Sequence, residues 1–227
     1  MAHPKTSRFR NVPIGWLIAS LVGLAILLCG AYLLYPALHA RYLFSELETL
    51  QLGHSTFEDA ERLARKIHAQ PYPPDEPCDR SKCEWDKQID NASLPHWWRG
   101  SGVGFSVTFD VKDSLVVRKD TGFGIGLRGS FHPSTVGLEE QEHWGRVPYR
   151  EPVQTGWYSS EKFRYYRFVV YMTPKATAED RRRYTAFNYS CFWKYQGCKD
   201  ARELLPTADP FPPEQDEWES SRGTKQQ

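Results

Sequence analysis

The longest pattern in the chain is an uninterrupted apolar run near its start. Residues Ile14 to Tyr35 contain no charged side chain. At about 1.5 Å per residue, a helix of this length matches the roughly 30 Å hydrocarbon core of a bilayer. The run therefore predicts a transmembrane helix, which Pro36 would end or kink as the chain emerges. Trp16 near one end and Tyr32 near the other suit the aromatic belts at the two membrane surfaces.

The charges around this run indicate its orientation. Lys5, Arg8 and Arg10 precede it without any acidic residue, whereas Arg41 is the only charged residue in positions 36–45. The positive-inside rule then places the N-terminus in the cytoplasm. A cleaved signal peptide is the alternative, but its apolar core should span only about 7–15 residues before a cleavage site of small residues. The length of the run therefore favours an uncleaved signal anchor.

Small residues recur inside the predicted span. Gly15, Ala19 and Gly23 are spaced by four positions, so they share one side of a helix. A stripe of this kind lets two membrane helices approach closely. These three residues are therefore the predicted contact if the chain forms a homodimer.

Two helices are predicted directly after the membrane segment. The first ends at Gly53 and is indicated by three leucines at helical spacing, Leu43, Leu47 and Leu50. The second should begin with a capping box, in which Ser55 and Glu58 hydrogen-bond to each other's backbone amides. Its apolar face is formed by Phe57, Ala60, Leu63, Ala64 and Ile67.

Strict alternation of apolar and polar residues marks the clearest strand. Its apolar members are Val103, Phe105, Val107, Phe109 and Val111. A period of two over nine residues predicts a half-buried antiparallel strand with one wet face. The turn at residues 112–114 then predicts a short hairpin partner at 115–117.

Three more strands and a helix complete the pattern. One strand alternates apolar residues from Phe123 to Leu127 with glycines, which leave its other face bare. Residues 153–158 and 163–172 predict a second hairpin. A C-terminal helix is predicted from about Ala178.

These elements predict an α+β protein. It has an N-terminal transmembrane helix, then a helix pair and an antiparallel sheet, with a C-terminal helix and two disulfides. The predicted parts are a cytoplasmic stub (1–13), a transmembrane signal anchor (14–35), an extracytoplasmic domain (36–205) and a flexible tail (206–227).

The cysteines agree with an exported domain. Cys29 falls inside the predicted span, which leaves four of the five cysteines beyond it. An even number outside the cytoplasm predicts two disulfides, and proximity in sequence favours the pairs Cys78 with Cys83 and Cys191 with Cys198. A zinc site is the alternative, but the spacings between these cysteines are longer than the usual ligand spacing.

The composition excludes nucleic-acid binding and extensive disorder. The 227 residues include 29 Lys and Arg against 28 Asp and Glu, so the net charge of +1 gives no electrostatic basis for binding nucleic acid. Aromatic residues make up 14% of the chain, enough to build a core, which excludes disorder over most of the length.

Two sets of residues resemble chemical motifs only superficially. Residues Gly124 to Gly129 match a dinucleotide-binding G-x-G-x-x-G pattern, but the Phe131-His132-Pro133 that follows cannot start the helix that the motif requires. Glu139 and His143 would share a helical face and could hold a metal together with Glu142 and His132, although a solvated polar loop explains them as well. No cofactor and no metal site are predicted.

One aromatic cluster is the predicted binding site. Trp97 and Trp98 could stack on a sugar ring or lie at the membrane surface, with His96 and Arg99 as polar partners. The same tryptophans could instead cover the bare glycine face of the third strand.

No catalytic motif occurs, and no catalytic residue is predicted. The favoured function is therefore a non-enzymatic binding or scaffold module of the cell envelope, anchored by residues 14–35, with an envelope protein or a glycan as its partner. The alternative is a hydrolase or transferase of envelope polymers that uses Glu139, Glu142, His143 or His96 as acid or base.

Overall fold

A computed structural model describes residues 14–90, 102–125, 134–141, 143–144, 147–148, 151–160, 165–194, 198 and 201–208. The described helices are α1 (Ile14–Leu47), α2 (Phe57–Ile67), α3 (Ala178–Tyr184) and α4 (Ala201–Leu204), with a 3-10 turn at Tyr189–Phe192. The described strands are β1 (Gln70–Pro71), β2 (Lys82–Asp90), β3 (Val103–Lys112), β4 (Leu115–Ile125), β5 (Ser134–Gln141), β6 (His143–Trp144), β7 (Val147–Pro148), β8 (Val153–Ser160) and β9 (Tyr165–Met172). The predicted α+β class is confirmed.

Helix α1 is longer than the predicted membrane segment. It continues through Pro36 to Leu47, so of the two outcomes expected at Pro36, an end or a kink of the helix, the end was wrong. Its first half is exposed, whereas its second half is packed against the domain through Ala37, Ala40, Leu43 and Leu47, each at most 1% exposed. This packing compensates for the single backbone hydrogen bond that Pro36 cannot donate. Within the described residues, α1 is the one helix long and apolar enough to cross a membrane.

Helix α2 begins one residue later than predicted. Its capping box joins Thr56 and Asp59, whose side chains each accept a hydrogen bond from the other's backbone amide. Ser55, the predicted cap, instead accepts a hydrogen bond from the amide of Gln51. The predicted apolar face is confirmed, because Ala60, Leu63, Ala64 and Ile67 are all buried.

Seven strands form one mixed sheet in the order β1-β2-β3-β4-β5-β9-β8, and β6 and β7 pair separately. Neighbouring strands are antiparallel as predicted, except that β5 and β9 are parallel. The chain enters β8 at the end of the sheet where it left β5, two strand positions away. Strand β9 then fills the gap, and this return makes it parallel to β5.

Three strand predictions need correction. Residues 115–117 and the glycine-rich strand from Phe123 are one strand, β4, with a bulge in its pairing near Asp110. Strand β2 was not predicted, because charged residues fill its wet face and Lys87 interrupts the apolar one. Residues 134–141 form β5 rather than a loop or helix, so Glu139 and His143 do not share a helical face.

The described helices pack on one face of the sheet. The core there includes Phe105, Phe123 and Phe168, with rings from α1 and the 3-10 turn between the layers. Both predicted cysteine pairs are confirmed, with Cα atoms 4.5 Å apart for Cys78 and Cys83 and 5.1 Å apart for Cys191 and Cys198. We call the opposite face of the sheet the helix-free face.

Candidate functional site

The predicted aromatic cluster lies outside the described residues. His96, Trp97, Trp98 and Arg99 belong to the segment between β2 and β3, so their role as a binding site stays a prediction. The described strand ends that flank this segment are informative, however. Asp90 at the end of β2 lies beside the start of β3, at one end of the sheet.

Helix α1 enters the domain at that same end. Arg41 of α1 lies over the ring of Tyr189, which contacts Phe105 near the start of β3. Farther along the chain, the carbonyl of Leu50 reaches Lys119 in the middle of β4. The exposed apolar half of α1 therefore projects beyond the end of the sheet where the segments 91–101, 126–133 and 161–164 join its strands.

The described part of the structure does not place the predicted metal ligands together. Glu142 and His132 lie outside them, as does the side chain of His143, while Glu139 lies in β5. The described part of the chain contains no group of three or more residues suited to a metal ion. Of the four residues proposed as acid or base, only the side chain of Glu139 is described.

The helix-free face carries a network of carboxylates and arginines across β3, β4, β5 and β9. Arg118 contacts Asp110 at 3.3 Å and Asp120 at 3.0 Å. Arg167 contacts the second oxygen of Asp120 at 3.1 Å and Glu139 at 3.4 Å. Two guanidinium groups thus bridge three carboxylates, and we call these five residues the surface network.

Gly137 makes room for Arg167. Arg167 is paired with Thr135 of β5, and its side chain must cross β5 to reach Asp120 on β4. A Cβ atom added to Gly137 would overlap the guanidinium group of Arg167. Because Gly137 has no side chain, the Arg167 side chain can pass over β5 and reach β4.

The surface network keeps an excess of negative charge. Burial and the neighbouring Asp120 raise the pKa of Glu139. Burial likewise raises the pKa of Asp110, against the opposing effect of Arg118. One oxygen of Asp110 and the Nε of Arg118 are buried and have no hydrogen-bond partner among the described residues. Adjacent on β2, Glu84 and Asp86 add two further carboxylates to this face.

A second ion cluster lies on the opposite, helix-covered face. Lys119 donates to Glu140 at 2.9 Å and to the carbonyl of Leu50 at 3.1 Å, and its side chain is 5% exposed. Arg181 of α3 contacts the other oxygen of Glu140 at 2.5 Å. We call Lys119, Glu140 and Arg181 the core cluster.

The core cluster is electrostatically satisfied. Burial alone would raise the pKa of Glu140, but the hydrogen bonds from Arg181 and Lys119 outweigh it and hold that pKa below its ordinary value. Lys119 also reaches Glu48, in the turn after α1, at 3.4 Å. The cluster therefore connects the turn after α1 to the middle of the sheet.

Two clefts are described elsewhere. The larger, of about 500 Å³, lies between the end of α1 and α2. Its main charged groups already pair with each other, Lys66 with Glu46 at 2.7 Å and Arg62 with Asp59 at 3.2 Å. The smaller is lined by Cys78, Cys83 and neighbouring prolines. Neither cleft contains a residue of the surface network.

Both ion clusters were missed in the sequence, although one signal was available. Lys119 lies on the buried face of β4, where apolar residues are expected. The other residues on this face, on either side of a bulge, include Val116, Thr121 and Phe123. A buried lysine needs a carboxylate partner. The sequence could have indicated that requirement, but not that Glu140 supplies it.

Comparisons with protein-family models, curated proteins and solved structures give no match.

Proposed function

We propose that the chain is a single-pass membrane protein that holds a non-enzymatic binding domain close to the extracytoplasmic surface. The observation that carries this proposal is the continuity of α1. One helix supplies both an exposed apolar half of membrane-spanning length and a buried half within the domain core. A rigid connection of this kind fixes the distance and orientation of the domain relative to the bilayer.

The side of the membrane is supported by two independent features. Lys5, Arg8 and Arg10 precede the apolar run and favour a cytoplasmic N-terminus. The two close cysteine pairs favour an oxidising compartment for the domain. Both features support the same topology, with residues 36–205 outside the cytoplasm.

Topology can be tested in intact cells with a membrane-impermeant thiol reagent. A cysteine introduced at exposed Arg182 in the domain should be labelled without lysis, and one introduced at Thr6 only after lysis. The four domain cysteines should resist alkylation until they are reduced. Labelling at Thr6 in intact cells, or four free domain thiols, would refute the proposed location.

The surface network suggests the chemistry of the partner. Asp110, Asp120 and Glu139, with Glu84 and Asp86 beside them, outnumber Arg118 and Arg167. Complementary charge steers and orients protein association. We therefore infer that a basic segment of another envelope protein docks on β2, β3 and β4, where the helix-free face is half-exposed.

A photo-crosslinking residue at Ser106, in the middle of this face, tests the partner. The proposal requires a crosslinked protein segment rich in Lys or Arg, with a yield that falls several-fold at 0.5 M salt and in the double variant Glu84→Gln with Asp86→Asn. The same residue placed at Glu179 on α3 is the control. A yield that changes neither at 0.5 M salt nor in the double variant would contradict a basic protein partner, as would a crosslinked glycan.

A further inference from the structure

The exposed side of α1 carries an apolar seam with a seven-residue repeat. Alternate steps of four and three residues connect Leu17, Leu21, Leu24, Leu28, Ala31, Tyr35, Leu38 and Tyr42. All eight are exposed. This alternation of four and three is the spacing of the contact residues in a two-stranded coiled coil.

The end of the seam outside the membrane segment is the informative part. Inside a bilayer apolar residues fill every position, so a heptad there carries little information. Beyond Tyr35, however, Leu38 and Tyr42 are still 59% and 40% exposed, and Tyr42 lies about 10 Å farther along the helix. Large exposed side chains on one stripe of a helix mark a contact surface.

The aromatic rings along this stripe contact one another. The ring of His39 lies between those of Tyr35 and Tyr42, with centroid distances of 5.3 and 6.4 Å. These contacts make the stripe a continuous ridge of rings beyond the predicted membrane segment.

The seam faces away from the domain. At about 100° per residue, Tyr35, Leu38 and Tyr42 point roughly 160° away from the mean direction of the buried residues of α1. Those buried residues are Ala37, Ala40, Leu43 and Leu47. Tyr42, at the end of the seam, also lies near Lys66 of α2, whose pKa is raised mainly by Glu46 and to a smaller extent by Tyr42. Two copies joined along the seam would place the larger part of their domains on opposite outer sides.

Pro36 is compatible with the seam. It occupies the position after Tyr35, on the side of α1 that turns toward the domain, where it is half-buried. Its ring therefore does not enter the predicted contact between two helices.

We propose that α1 forms a parallel dimer with α1 of a second copy along this seam, from Leu17 in the membrane to Tyr42 outside it. A second copy is the partner that presents the same repeat, in the same bilayer and at the same height. The interface differs from the stripe of Gly15, Ala19 and Gly23, which lies more than 100° around the helix. One dimer cannot use both.

Cysteine crosslinking of the full chain in its membrane distinguishes the two faces. In a Cys29→Ser background, Leu28→Cys and Leu38→Cys should form disulfide-linked dimers on mild oxidation. The matched control is the unaltered chain, because native Cys29 is exposed, unpaired and one position away from the seam. It should stay monomeric, as should Ala19→Cys in the Cys29→Ser background.

A second variant measures how much the residues beyond the membrane segment contribute to dimer stability. Leu38→Ser with Tyr42→Ser should weaken the Leu28→Cys dimer by about tenfold or more, because burial of one large apolar side chain already exceeds a factor of ten in an equilibrium constant. Both substitutions are at exposed positions, so the fold of the domain should be unchanged.

The other outcomes each overturn the seam. Crosslinking at Ala19→Cys or native Cys29 without crosslinking at Leu28→Cys would assign the contact to another face. If every cysteine variant stayed monomeric, Leu38 and Tyr42 would contact lipid headgroups and the proposed dimer would be refuted. The seam rests on the proposed anchor, so alkaline extraction is measured in parallel: release of the chain from membranes would contradict the anchor itself.

Discussion

Glu139 and Glu140 are neighbours in β5, yet their carboxylates lie in two different electrostatic environments. Glu140 points into the core cluster, where Lys119 and Arg181 each take one of its oxygens. Glu139 points to the helix-free face, where Arg167 is shared with Asp120. Their pKa values shift in opposite directions, down for Glu140 and up for Glu139.

The difference is set by the number of cations, because both carboxylates are substantially buried. Burial is the largest effect on the pKa of both residues and by itself raises it, but the hydrogen bonds and charges of Arg181 and Lys119 outweigh burial at Glu140 and lower that pKa. The core cluster is therefore a closed structural unit. The surface network retains negative charge that a cationic partner can neutralise, and this supports the proposal that a basic segment docks on the helix-free face.

The largest expected effect is the loss of Glu140. Glu140→Gln leaves Lys119 and Arg181 without their shared anion in a buried site, and we expect a decrease of about 3 kcal/mol in the free energy of unfolding. Glu139→Gln is the matched control and should change stability by less than about 1 kcal/mol. Urea denaturation of the detergent-solubilised chain measures both. Equal effects at the two positions would mean that the two faces do not differ as described.

The sequence could predict the layers of the fold better than its ion pairs. The period of two was sufficient to predict β3, and the cysteine spacing was sufficient to predict the two disulfides, because each depends on local geometry. Strand β5 was not predictable in the same way. Its two glutamates read as a solvated loop, and only the parallel pairing with β9 and the approach of α3 supply Arg167 and Arg181.

Helix α1 illustrates the same limit. The apolar run was visible in the sequence, and the spacing of Leu43 and Leu47 predicted a helix after it. The sequence did not predict that the two form one continuous helix through Pro36, because this depends on packing against the domain, for example the ring contact of Phe44 with Phe187. A contact so distant in sequence leaves no periodic signal.

The pH dependence of stability should separate the two glutamates. The folded-state pKa of Glu139 is raised, so the protein gains stability as the pH falls through that pKa toward its unfolded value. The folded-state pKa of Glu140 is lowered, so its contribution is complete above the unfolded value of about 4.3 and is lost as the pH falls further.

Denaturation curves between neutral pH and about pH 3 test this directly. Wild-type stability should rise slightly on mild acidification and then fall steeply. Glu139→Gln should flatten the rise and keep the fall, whereas Glu140→Gln should keep the rise and flatten the fall. If Glu140→Gln leaves the acid limb unchanged, the core cluster is not the source of acid sensitivity.

Gly137 gives a smaller test of the surface network alone. Gly137→Ala should displace the Arg167 guanidinium from Asp120 and Glu139, and lower the free energy of unfolding by about 1 kcal/mol. Gly156→Ala in β8 is the control, because nothing lies near its added Cβ, and it should be neutral or slightly stabilising. In the Gly137→Ala background, Asp120→Asn should cost less than in wild type. Additive costs would show that Arg167 does not bridge the strands through this gap.

The smallest expected effect is that of salt. In the surface network the side chains of Arg167 and Glu139 are 26% and 15% exposed. In the core cluster those of Lys119 and Glu140 are 5% and 8% exposed, and Arg181, at 28%, is the member that reaches the surface. Mobile ions screen partly exposed charges more than buried pairs. Raising salt from 0.05 to 0.5 M should therefore change the effect of Glu139→Gln by a few tenths of a kcal/mol and that of Glu140→Gln by a smaller fraction of its size. If salt reduced the effect of Glu140→Gln in the same proportion as that of Glu139→Gln, the two clusters would not differ in burial as described.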